Sequence, residues 1–167
     1  FYRPASPALV RSWLKKLEGR PDFLLSLKLH QAFTHARADF SQKDVDDFRA
    51  ALDLLRLGGR LAALLVQFPW SYRNSPANAD YIVRLFKLFS GYPLAVEVRH
   101  ASWDEPAFYD MLRDNKAAFC NIDQPLIGDS IKPSAVSTTP EFAYVRFHGR
   151  NAGTWWIGRL QTERDKL

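Results

Sequence analysis

Five segments of this chain alternate side chains with period two, and the residues between them place apolar positions at helical spacing. Alternating strand and helix signals point to βαβ units and a parallel sheet. A parallel strand covered by helices on both faces reads as one continuous apolar run, and these strands do not. In residues 23–30, Leu25, Leu27 and Leu29 oppose Ser26, Lys28 and His30. In residues 93–99, Leu94, Val96 and Val98 oppose Ala95, Glu97 and Arg99. In residues 117–123, Ala118, Cys120 and Ile122 oppose Phe119, Asn121 and Asp123. In residues 141–148, Ala143, Val145 and Phe147 oppose Tyr144, Arg146 and His148. Residues 61–68 are more apolar, with Leu64, Val66 and Phe68 opposing Ala63, Leu65 and Gln67.

Side chains alternate across a strand, so each set shares a face. The polar members gather toward the C-terminal end of every segment. A TIM-type (β/α) barrel accounts for both facts. Its apolar outer face meets helices, and its inner face turns polar at the rim where such barrels build active sites. An open doubly wound sheet needs apolar residues on both faces and fits the pattern less well. The expectation is an α/β chain, residues 1–167 as a single domain, forming part of a TIM-type barrel with five of its eight strands visible. A full barrel typically takes ~250 residues.

The helix signals are local. Ser6-Pro7 reads as a cap followed by proline in the first turn, with Leu9, Val10, Trp13, Leu14 and Leu17 as the apolar stripe. Ser41 with Asp44 caps a second helix that buries Val45, Phe48, Leu52 and Leu55. A third helix is expected near residues 78–89, and a fourth after Asp104 with Phe108, Met111 and Leu112 inward. Residues 124–140, rich in Ser, Thr and Pro, read as loop.

Several motifs are more specific than periodicity. They are Phe1-Tyr2-Arg3-Pro4, residues 23–30 with Thr34-His35, Leu64-Leu65-Val66-Gln67-Phe68-Pro69, and Ala95-Val96-Glu97-Val98-Arg99-His100 with Ser102-Trp103. Asn121-Ile122-Asp123 and Tyr144-Val145-Arg146-Phe147-His148-Gly149-Arg150 complete the set, and Trp155-Trp156 follows. Together they make the chain resemble the YecE-like family, also known as domain of unknown function 72. The resemblance implies an eight-stranded α/β barrel in which this sequence starts after the second strand and stops before the eighth. It implies no activity.

Composition narrows the functional classes. A single cysteine, Cys120, excludes an intramolecular disulfide and a cysteine-rich zinc site. Apolar runs are far below the ~20 residues of a membrane helix, and no export leader is visible, so a cytoplasmic, non-membrane protein is expected. The net charge of +5 permits an anionic partner, small molecule or nucleic acid. Many of the basic residues, among them Lys15, Lys16, Arg49, Arg84 and Lys87, lie on helices, where they serve as solvated surface.

The inward polar row carries the candidate chemistry. Glu97 and Asp123 are candidates for general base and acid, since carboxylates in unequal surroundings hold different pKa values. His148 is a third candidate catalytic group, able to move protons near neutrality. Lys28, Arg99, Arg146 and Arg150 would bind an anionic group, with the arginines suited to bidentate grips. His30, Gln67, Asn121 and Trp103 complete the expected substrate-binding set. Glu97, Asp123 and His148 with Asn121 would suit a divalent ion, but the neighbouring cations argue against one, and no cofactor is implied. Trp70, Tyr72, Trp103, Trp155 and Trp156 follow strands and would either stack on a ligand or pack the rim.

Three functions stay open on this reading. One is an enzyme (hydrolase, lyase or isomerase) applying acid–base chemistry to a small, sugar-like phosphate or carboxylate. The others are a nucleic-acid binding or processing module and a non-catalytic binding protein in which the charges form a salt-bridge network.

Overall fold

The computed structural model describes residues 5–37 and 40–151. Helix α1 (Pro7–Lys16) opens on Ser6, whose Oγ accepts from the Leu9 amide. After strand β1 (Leu25–Lys28) and a π-helical turn (Ala32–Ala36) comes α2 (Gln42–Leu57). Its capping box is complete. Ser41 Oγ accepts from the Asp44 amide, and Asp44 Oδ2 accepts from the Ser41 amide at 2.7 Å. Strand β2 (Leu61–Gln67) leads to α3 (Pro76–Leu88), β3 (Leu94–Glu97), α4 (Pro106–Asp114), β4 (Ala118–Asp123) and β5 (Tyr144–Phe147). Proline opens α1, α3 and α4, where its missing N–H leaves no bond unmade.

All neighbouring strands are parallel and lie in chain order, β1-β2-β3-β4-β5. Strand β1 pairs with β2 and β5 with β4, and the two outer edges stand 10 Å apart. This corrects the expected TIM-type barrel: the described residues build an open, curled half-barrel. Closure requires the last strand to hydrogen-bond to the first with matched tilt and stagger. The twist of five strands curls the sheet without bringing its edges to the ~4.8 Å that pairing requires.

The register also reassigns one strand. Gln67 lies beside Glu97, and Ala95 beside Ala118. Ala118, Cys120 and Ile122 therefore share the concave face with Glu97, while Phe119, Asn121 and Asp123 take the convex one. Strand β5 continues the pattern, with Tyr144 beside Cys120 and Arg146 beside Ile122. The expectation for β4 was the opposite, and a one-residue offset exchanges the two faces of a strand.

The core fills the space between the convex face and the helices. Phe33 packs against Phe40, Phe48 and Phe89, and Phe68, Tyr72, Trp103 and Phe108 form a second aromatic column. Phe119 meets Phe108 and Tyr109 of α4 edge-on, as its convex position requires. The lower concave face is lined by buried Ala63, Leu65, Ala95, Ala118 and Cys120. Polarity begins above them, at Gln67 and Glu97.

Candidate functional site

Glu97 ends β3 on the concave face and is fully buried. Each carboxylate oxygen holds one guanidinium. Arg99 Nε lies 2.8 Å from Oε1, and Arg146 Nη1 lies 2.5 Å from Oε2. The same Arg146 nitrogen donates to Gln67 Oε1 at 2.9 Å, so β2, β3 and β5 converge on one network. A buried carboxylate persists only when its charge is matched and its lone pairs are filled, and here both conditions hold.

His148 closes the cluster, with Nε2 3.4 Å from Arg99 Nη2 and 3.7 Å from Glu97 Oε1. Nε2 thus stands between a guanidinium that can only donate and a carboxylate that can only accept. Burial lowers the His148 pKa below its ordinary value, and Arg99 lowers it further against the opposing pull of Glu97. Burial likewise lowers the Lys28 ammonium, with Glu97 opposing and Arg146 and Arg99 assisting. The Cys120 Sγ lies 3.9 Å from Glu97 Oε2, and burial pushes its thiol up to about 12, so it stays protonated. Among the described residues of the cluster, two guanidiniums and Lys28 face the one carboxylate of Glu97, which leaves this part of the concave face cationic.

The other expected site residues lie elsewhere. Asn121 is buried on the convex side, where Nδ2 donates to the Val136 carbonyl and Oδ1 accepts from Val136 N and Ser134 Oγ. It laces the loop after β4 onto the sheet. Asp123 is gripped by Arg150 Nε at 2.9 and 3.1 Å, and that hydrogen bond holds its carboxyl below the usual range. Trp103 is fully buried and donates Nε1–H to the Tyr72 carbonyl at 2.7 Å. His30 accepts the Ala32 amide on Nδ1 and lines a separate hollow with Phe33, Asp44 and Phe48. Trp155 and Trp156 lie outside the described residues. Among the described residues, no group of three or more His, Cys, Asp or Glu side chains is placed to hold a metal ion. Nor is any helix there long and apolar enough to cross a membrane.

Beside the cluster, at the C-terminal ends of the strands, lies a cleft of about 380 Å³. Gln67 and Arg99 reach it from the sheet, Trp70 from the loop after β2, and Gln124 and Ser130 from the loop after β4. Gln124 escaped sequence reasoning because one glutamine in a polar loop carries no signal. Its place directly after a strand end, where α/β sites are built, was the one available cue.

The comparisons with known proteins agree with this architecture. The family model described as "Protein of unknown function DUF72" matches residues 1–166. UPF0759 protein YunF of Bacillus subtilis is 32% identical, over 93% of this chain and 58% of that protein. The structure of the DUF72 family protein TM1631 from Thermotoga maritima superposes with a TM-score of 0.79 at 33% identity, covering 88% of this chain and 57% of that one. That of EF0366 from Enterococcus faecalis gives 0.81 at 24% identity, covering 92% and 64%, a likeness of fold. The chain thus spans less than two thirds of the length of these relatives. With the family model matched along nearly its whole length, this chain belongs to the DUF72 family.

Proposed function

We propose that the concave face binds a small phosphate- or carboxylate-bearing molecule through Arg99, Arg146 and Lys28, and that His148 exchanges a proton with it. The observation that carries this reading is the buried Glu97, engaged by a guanidinium on each oxygen. Glu97 so occupied acts as a positioning residue. It fixes two arginines whose side chains remain 20% and 31% exposed, leaving N–H groups for a ligand. Proton transfer then falls to His148, whose neutral ring is a base near neutrality.

A small ligand suits the site better than a nucleic-acid strand. Of the expected rim aromatics among the described residues, Trp70 lines the cleft, whereas Tyr72 and Trp103 are buried in the core. The test is calorimetric titration of the chain with inorganic phosphate and with acetate. Arg146→Gln and Arg99→Gln should each weaken the bound anion at least tenfold, consistent with ~1.5–3 kcal/mol for a charged hydrogen bond. Arg146→Lys, which keeps the charge and loses the fork, should fall between. Affinities unchanged in both glutamine variants would refute the assignment.

A further inference from the structure

The cleft beside the cluster differs from it in character. Trp70 forms a wall, its indole packed against the His100 ring with centroids 5.4 Å apart. Of the polar groups that line the cleft, Arg99 only donates, whereas His35 and the amides of Gln67 and Gln124 can each donate and accept. Arg99 contributes its guanidinium, and Gln67 has its carbonyl taken by Arg146. Ser130 is engaged locally, donating Oγ–H to the Ile127 carbonyl and accepting the Ile127 amide. Among the described residues, no carboxylate lines the cleft.

Gln124 is one of two described residues with a buried side-chain nitrogen left without a partner, His100 being the other. Gln124 itself is 4% exposed, lines the cleft, and its Nε2 is buried without a hydrogen-bond partner. Buried amide groups in folded proteins are nearly always paired, and one left open calls for an explanation. Turned toward the cleft that its residue lines, the amide would meet a ligand oxygen there. An indole wall favours a flat body. With the Arg99 guanidinium in the lining and no carboxylate among its described residues, oxygen acceptors on the ligand are favoured over hydroxyl groups.

We infer that the cleft receives the body of the anion, and that this body is a flat, acceptor-bearing ring: an aromatic or heteroaromatic carboxylate rather than a polyol phosphate. The inference rests on the anion-binding reading of the cluster, since Arg99 belongs to both. The roles divide accordingly. Arg99 and Arg146 take the charge, Trp70 stacks on the ring, and Gln124 donates to a ring substituent.

The experiment titrates the chain with pyridine-2,4-dicarboxylate, ribose 5-phosphate and inorganic phosphate, comparing wild type with Trp70→Leu and Gln124→Leu. The dicarboxylate should bind at least tenfold more tightly than either phosphate. Each variant should weaken it about tenfold while leaving inorganic phosphate unchanged. Thermal midpoints report folding, and Trp70→Phe, which keeps a ring, should retain most of the affinity if the leucine variant unfolds. Ribose 5-phosphate binding as tightly as the dicarboxylate, or dicarboxylate affinity indifferent to both positions, would overturn the inference alone. Failure of every anion to bind the wild-type chain would overturn the cluster's anion-binding role and this inference with it.

Discussion

Glu97 on β3 and Arg146 on β5 form a 2.5 Å ion pair that passes over the intervening strand β4. Arg146 reaches on to Gln67 of β2, so one side chain ties three strands across the concave face. On β4 the crossing runs from Ile122, the register partner of Arg146, toward Cys120, whose Sγ lies 3.9 Å from Glu97 Oε2. The curvature of the sheet brings these groups together, and their pairing in turn favours the curved form.

Removing the central charge should therefore be felt in stability. Glu97→Gln leaves two guanidiniums side by side without a counter-ion. Breaking a buried pair costs about 3–5 kcal/mol, and the partial exposure of both arginines places this case near the lower end, about 3 kcal/mol. Urea unfolding should show a lower midpoint with the slope unchanged.

His148 should make stability pH-dependent. Its folded pKa lies below the ordinary 6.5, so on acidification the unfolded chain takes up the proton first. The stabilising contribution of the neutral ring is complete above 6.5 and is lost as pH falls through the lowered folded value. Urea midpoints measured between about pH 5 and 8 should rise with pH, and His148→Gln should flatten that part of the profile. A slope unaltered in the variant would remove His148 from the account.

Asn121 should separate architecture from binding. Asn121→Ala strips three hydrogen bonds from the loop after β4 and leaves the Val136 amide and carbonyl without their partner. A loss of about 3 kcal/mol is expected for orphaned buried groups, with phosphate affinity unchanged at temperatures where the variant is folded. Weaker phosphate binding without loss of stability would return Asn121 to the binding set.

Most of the secondary structure was legible because its causes are local. Ser6-Pro7 and the Ser41–Asp44 box fix helix starts within a few residues of chain, and period-two alternation in β3 and β5 correctly placed Glu97, Arg99, Arg146 and His148 on one face. Strand β4 was misread for a definite reason. Polar residues at Asn121 and Asp123 looked inward-facing on the premise that helices alone cover the convex side. Part of that side is instead covered by a polar loop, which Asn121 holds with its amide. Trp103, which the sequence leaves open between stacking on a ligand and packing, is fully buried, since an aromatic after a strand can close the core as readily as it can line a rim.

The row of polar positions along the strands thus divides in two. Sequence alone determined the βαβ order, the caps, the DUF72 motifs and the presence of a charged inner face, all of which follow from residue type and spacing along the chain. Tertiary structure decided that the sheet is an open half-barrel, which polar residues of β4 turn away, and that Glu97 is held between two arginines. Those outcomes depend on strand register, curvature and loop packing, interactions between residues as far apart in the chain as Gln67 and Arg146.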